Sequence, residues 1–208
     1  MRVLVACEYS GRVRDAFTAA GHEAMSCDLL DSETPGAHYV GDVRDVLEGG
    51  WDLLIAHPPC TDLAVSGARH FPAKIADGRQ AAALEFVRLL LAAPVPRIAL
   101  ENPVSIISSR IRPATQYVQP WEFGHPETKK TGLWLKNLPP LVPTADVSAA
   151  MALLPPSERN RVHHMSPGPD RWRHRSRTFE GIAAAMATQW GGALPPVDLE
   201  LDFEVVSR

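Results

Sequence analysis

The sequence predicts an α/β fold, a doubly wound and mostly parallel sheet in a single domain. Three observations predict it. Short apolar runs alternate with stretches whose apolar residues recur at helical spacing, the rhythm of βαβ units. The chain has 208 residues, 45% of them hydrophobic, enough to bury one substantial core with little room for a second module. Polar or reactive residues (Gly11, Asp28, Asp42, Cys60 and Glu101) fall where apolar runs stop, as they do when a site lies at the carboxyl ends of parallel strands.

Taken in order, Val3-Leu4-Val5-Ala6 is a short apolar run suited to a buried parallel strand. After Gly11, the residues Val13, Ala16, Phe17 and Ala20 recur at helical spacing, and Gly21 supplies a stop. Ala24 to Cys27 reads as a second strand ending in Asp28, and a third short strand ends at Val40, before Gly41-Asp42. Leu53 to Ala56 is the fourth. A helix is expected from about Ala76 to Ala92, with Leu84, Val87, Leu90 and Leu91 on one face, and Arg97-Ile98-Ala99-Leu100 returns as a strand. Thr131 to Leu135 makes a further strand. Residues 139–175, with Pro-Pro pairs at 139–140 and 155–156, read as a long excursion. Ile182 to Ala187 is a helix stopped by Gly191-Gly192. Val197, Leu199, Leu201, Phe203 and Val205 alternate with acids, the pattern of a half-exposed strand.

A formal net charge of -3 argues against a protein that is basic as a whole. The charge is unevenly spread: Arg159, Arg161, Arg171, Arg173, Arg175 and Arg177 share one stretch, preceded by Lys129, Lys130 and Lys136. A local basic face could hold a phosphate backbone, although a solvated surface would have the same composition. The 3 cysteines form no CxxC pair and suggest a reducing compartment without a disulfide framework. No apolar run approaches membrane-spanning length and the first residues carry too short an apolar stretch for a signal peptide, so a soluble intracellular protein is expected. His163, His164 and His174 lack matching cysteine or carboxylate spacing, and no metal is expected.

Two stretches carry chemistry. His57-Pro58-Pro59-Cys60 puts a thiol on a stiff loop past the fourth strand, a setting for a nucleophile, although a lone cysteine is more often a small buried hydrophobe. Glu101, in Leu100-Glu101-Asn102-Pro103, ends an apolar strand. A desolvated carboxyl there is expected to hold its proton near neutral pH and to donate to a ring nitrogen, unless it is paired with a nearby arginine.

With these two motifs the chain resembles the DNA (cytosine-5)-methyltransferase family, and more narrowly its short phage- and prophage-type members. The resemblance implies a Rossmann-like S-adenosylmethionine-dependent methyltransferase fold over residues 1–208. It implies that Cys60 adds to C6 of a cytosine flipped out of double-stranded DNA, with Glu101 contacting N3. The cofactor would be S-adenosyl-L-methionine. Its loop would be Cys7, Tyr9, Ser10 and Gly11, of which only the glycine keeps the family pattern. Asp28 with Leu29 would take the ribose, Asp42 with Val43 the adenine, and Pro59 the methionine end. Gly124 to Thr131 resembles a G-x-P-Q-x-R-x-R motif in which Glu127 replaces the glutamine, Lys129 the first arginine and Thr131 the second. Lys129, with Lys130, would then supply the positive charge at the base. Ser176 and Thr178 resemble the motif that closes over the cofactor.

The family's target-recognition domain has no counterpart beyond residues 139–175. There Arg171, Trp172, Arg173 and Arg175 suit phosphate contact and base stacking. A partner protein that directs the enzyme would fill the same gap. The resemblance places the protein in the cytoplasm of a bacterium or a phage-infected cell, with no membrane attachment. Alternatives from other classes are cytosine modification in RNA or a free nucleotide, and a non-catalytic nucleic-acid-binding protein on a methyltransferase scaffold. An amino-methyltransferase fits less well, since His57 and Cys60 suit neither the amide nor the aromatic role of its motif.

Overall fold

The computed structural model describes residues 1–192. Seven strands form one sheet: β1 (Arg2–Ala6), β2 (Glu23–Asp28), β3 (His38–Val40), β4 (Leu53–Ala56), β5 (Arg97–Pro103), β6 (Gln116–Val118) and β7 (Thr131–Lys136). Their order is β3-β2-β1-β4-β5-β7-β6. The first five pair in parallel, while β7 runs antiparallel to both β5 and β6. The sheet reverses direction beside β1, so that the loops after β1, β2, β4 and β5 open on one edge. This is the Rossmann-like architecture expected from the sequence, and that edge is where such sheets bind ligands.

Nine helices flank the sheet among the described residues: α1 (Arg12–Ala19), α2 (Phe71–Ala76), α3 (Arg79–Leu91), α4 (Ile107–Arg110), α5 (Ser148–Leu153), α6 (Pro156–Arg159), α7 (Arg161–His164), α8 (Arg171–Ser176) and α9 (Glu180–Trp190). Each strand alternates its side chains between two cores. Val3, Val5, Ile55, Ala99 and Leu133 meet Val13 and Phe17 of α1 and Ile182, Met186 and Trp190 of α9. Leu4, Leu54, Ile98, Leu100 and Trp134 meet Val87 and Leu90 of α3. The buried indoles keep their N–H groups partnered: Trp190 Nε1 donates to Pro139 O (2.9 Å) and Trp134 Nε1 to Arg112 O (2.8 Å).

One expectation needs correction, and two further features lie beyond what the sequence predicts. The helix expected from Ala76 begins at Arg79, because Gly78 adopts φ 80° and separates it from the short α2. The three-residue β6 gave no alternating pattern; it exists because β7 offers it an edge. The excursion at 139–175 contains four short helices, α5 to α8, each too short to be stable without tertiary support. The strand expected from Val197 to Val205 lies outside the described residues.

Helix α9 passes very close to the loop after β6. A Cβ on Gly181 would fall inside the van der Waals shell of the Phe123 carbonyl oxygen. Gly181→Ala is therefore expected to cost about 3 kcal/mol in urea unfolding, because backbone must move to admit it. The same change at Gly192, where nothing is within 4 Å, should be close to neutral.

Candidate active site

The β1–α1 loop is built around a residue that sequence reasoning passed over. Glu8 is buried, and its carboxylate accepts from Val13 N (2.7 Å), Arg14 N (3.1 Å) and Ser10 Oγ (3.3 Å). It thus caps the first turn of α1 from three residues ahead of Gly11, which holds the N-cap position at φ 73° without a side-chain cap. The signal was an acid shortly before a helix start. Cys7 sits at φ 58°, a left-handed conformation uncommon outside glycine. Burial, with the negative field of Asp28 and Asp42, pushes its thiol up to about 12, so Cys7 is an uncharged wall residue. Gly11 is constrained as well, since a Cβ there would collide with Thr34 and with Arg14.

Asp28 ends β2 and accepts from Leu30 N (3.1 Å), and burial raises its carboxyl above the usual range. Asp42 caps a 3₁₀ turn; its carboxylate takes Arg44 N (3.0 Å) and the Arg44 guanidinium (2.7 Å), which lower it. Leu29 is 75% exposed and Val40 52%. Val40 pairs with Asp28 in the sheet, so these two apolar side chains and a carboxylate share one corner at the strand ends. Val43 is buried beneath it.

The loop after β4 is pinned from both sides. His57 N donates to Ala6 O (2.9 Å) and Asn102 Nδ2 to Pro58 O (2.9 Å), tying it to β1 and β5. Leu63 N and Ala64 N donate to Cys60 O (3.0 and 2.9 Å) and close a turn. The buried Lys74 of α2 donates to Thr61 O and pairs with Asp62 (3.3 Å). Pro59 and Cys60 are left exposed at the crest. The turn leads to a 3₁₀ segment, Val65–His70, rather than directly into an α-helix whose amides could lower the thiol. Although Cys60 is exposed as a residue, enough protein rings its sulfur that burial raises the thiol above its ordinary value. The charge on Glu101 raises it further, and Lys129 and Arg175 pull it partly back. Cys60 is therefore a thiol at rest.

Those same interactions bring together Cys60, Glu101, Lys129 and Arg175, residues from four separated stretches of chain. Glu101 corrects an expectation. Burial does push its carboxyl up, but the hydrogen bond and charge of His57, followed by Lys129 and Thr131, outweigh it and leave the carboxyl below its usual range. His57 Nδ1 lies 3.1 Å from Glu101 Oε2. The carboxyl is thus ionised, paired with the histidine that opens the Pro-Pro-Cys motif. Lys129 Nζ donates to Arg177 O (3.3 Å) and stands 5.8 Å from the centre of the Phe179 ring.

The basic stretch folds back over the β1–α1 loop. Tyr9 Oη donates to Arg173 O (2.6 Å) and lies 2.9 Å from Ser176 Oγ. Arg12 donates to Thr178 O (3.0 Å), and Arg177 grips Glu33 with both arms (2.8 and 2.7 Å). The Trp172 ring meets the Tyr9 ring at 5.8 Å, with the Arg173 guanidinium 5.8 Å from Tyr9 and 5.6 Å from Trp172. Trp172 is still 51% exposed. Arg171 donates to His163 O (3.4 Å), and Lys130 lies apart, 4.6 Å over the Tyr117 ring. Among the described residues no three histidine, cysteine or acidic side chains are grouped to hold a metal ion, and no helix is long and apolar enough to cross a membrane.

No protein-family model matches the chain, and no curated protein matches it. Among solved structures it is similar to an E. coli protein provisionally described as a DNA modification methyltransferase encoded within a prophage. The two are 16% identical with a TM-score of 0.45, over 74% of this chain and 55% of that one. This chain thus spans little more than half of that protein's length. The class defined here, a Rossmann-like α/β protein with its candidate site at the strand ends, rests on the strand order and the side chains themselves.

Proposed function

We propose that the protein is an S-adenosyl-L-methionine-dependent methyltransferase that modifies C5 of cytosine in DNA through a covalent bond between Cys60 and C6. The observation that carries this reading is the convergence of an exposed thiol, an ionised carboxylate and a lysine at the ends of β4, β5 and β7. Carbon 5 of cytosine is too electron-poor to attack a methyl donor unaided. A nucleophile adding at C6 removes that obstacle. The S–H bond breaks as the Cys60 sulfur bonds to C6; the ionised Glu101 carboxylate takes that proton and passes it to N3, so that N3 can accept the electron pair and C5 becomes electron-rich. Lys129 offsets negative charge on the ring and on Glu101. After transfer the C5 proton passes to solvent water, the S–C6 bond breaks, and the N3 proton returns through Glu101 to the sulfur, which restores Cys60 and the C5–C6 double bond.

The residues fit the cofactor. Leu29 and Val40 offer an exposed apolar shelf for a purine beside the carboxylate of Asp28, which suits ribose hydroxyls. When bound, the cofactor supplies an electrophilic methyl group. Asp28 and Asp42 would hold its adenosine, Tyr9, Ser10, Ser176 and Thr178 its amino-acid end, and Cys7 and Pro59 would wall the site. Arg171, Trp172, Arg173 and Arg175 would meet the DNA, with Lys130 at its edge.

The test offers tritium-labelled S-adenosylmethionine with DNA, RNA or dCMP, followed by digestion to nucleosides. Label in 5-methylcytosine from DNA, lost in Cys60→Ser, is the expected result. Label in RNA or dCMP keeps the chemistry and changes the substrate. Cofactor binding with no label in any of the three would sink the reading in favour of a binding protein.

A further inference from the structure

His57 and Glu101 follow Ala56 and Leu100, which are register partners on β4 and β5, so their side chains rise side by side from adjacent strands. Nδ1 of the imidazole lies 3.1 Å from Oε2 of the carboxylate, and both side chains are largely buried, at 9% and 15% exposure. The other ring nitrogen, Nε2, is buried and has no hydrogen-bond partner among the described residues. A purely structural histidine accounts for the first contact but not the second, since a buried polar atom without a partner is destabilising.

We propose that His57 is the positioning residue of Glu101, and that a pyrimidine ring meets the pair rather than the glutamate alone. The inference rests on the reading of Cys60 and Glu101 given above. Because Nδ1 faces a carboxylate, it carries a proton in either charge state of the imidazole. Donation to Oε2 fixes the rotamer of Glu101 and leaves its second oxygen for the ring. The imidazole keeps its proton throughout, so its part is to orient the carboxylate and not to supply the proton. The other groups facing the pair are Lys129 and Thr131 beside Glu101 and Cys60 on the adjoining loop.

The test combines three variants with two measurements on the full chain. Asparagine can place its side-chain N–H where Nδ1 stands; glutamine places it near Nε2; alanine offers none. Release of tritium from C5-labelled cytosine in DNA reports ring activation at Cys60 and Glu101. His57→Ala and His57→Gln are expected to lower that release by about 100-fold, in kcat rather than KM, the scale of a misaligned catalytic group. His57→Asn should remain within tenfold of the original, and thermal unfolding of all three should confirm folded protein. Nitrogen NMR of histidine-labelled protein should show Nδ1 of His57 protonated and its signal moved by Glu101→Gln. A bare Nδ1, an unimpaired His57→Ala, or a His57→Asn no better than alanine would each overturn the proposal. If the unaltered protein releases no tritium from DNA, RNA or dCMP while the His57 signal still responds to Glu101→Gln, the cytosine reading fails and the pairing of the two residues stands.

Discussion

Replacing Cys60 with serine is expected to lower methyl transfer by roughly 10⁴-fold or more, the scale seen when a covalent nucleophile is removed. The more discriminating measurement follows from the electrostatics of the thiol. Burial and the negative charge of Glu101 raise Cys60 above its ordinary value, so at neutral pH only a small fraction is thiolate. Alkylation of Cys60 by iodoacetamide should therefore be slow and should rise about tenfold per pH unit until the thiol is titrated. Glu101→Gln removes the neighbouring negative charge and should speed alkylation at any given pH, yet it should slow methyl transfer because the ring is no longer activated. Lys129→Met removes a charge that favours the thiolate and should slow both. The two rates moving in opposite directions in Glu101→Gln is the signature of a carboxylate that acts on the ring. If both rise together, Glu101 only suppresses the thiol, and its assigned role is wrong.

What the sequence disclosed depended on how locally each feature is encoded. Strands β1, β2, β4 and β5 announce themselves because buried parallel strands are short, nearly pure apolar runs, such as Leu53-Leu54-Ile55-Ala56. The strand β6 does not, since Gln116-Tyr117-Val118 is a strand only because β7 lies beside it. The same division runs through the site. Strand ends are local, so Asp28, Asp42, Cys60 and Glu101 could be placed at one edge of the sheet from the sequence. The ionisation of Glu101 could not be read from the sequence. It depends on His57 across the neighbouring strand and on Lys129, 28 residues further along the chain, and the desolvation that was foreseen is only the opposing part of the balance. Likewise Arg177 was visible as one arginine in a basic stretch, but its partner Glu33 lies 144 residues away. Charge composition could not separate an arginine free to meet phosphate from one already committed.

Arg14 is where loss of a single side chain should do most damage to the fold. Its side chain is 1% exposed, and its guanidinium donates to Ser26 Oγ (3.1 Å), Ser32 Oγ (3.0 Å), Thr34 O (3.2 Å), Thr34 Oγ1 (2.6 Å) and Pro35 O (3.1 Å), with Nε on Asp15 (2.8 Å). One side chain thus holds most of the β2–β3 connection against α1. Arg14→Met keeps much of the buried stem but strands carbonyls and hydroxyls that water cannot easily reach. Asp15, 43% exposed, can be rehydrated, so the cost comes from the loop acceptors and should total about 3 kcal/mol. Arg14→Lys should recover little, because a point charge cannot reach acceptors spread around a planar fork. Arg44→Met, which breaks an exposed pair with Asp42, should cost at most about 1 kcal/mol in the same urea titration. Hydrogen exchange adds the functional consequence. In Arg14→Met, amides from 29 to 37 should lose protection, and with them Glu33 loses its hold on Arg177, loosening the segment that carries Ser176 and Thr178. Equal destabilisation by Arg14→Met and Arg44→Met would mean that the guanidinium network contributes no more than a surface pair. Unchanged exchange over 29–37 would mean that α1 and the sheet fix the loop without it.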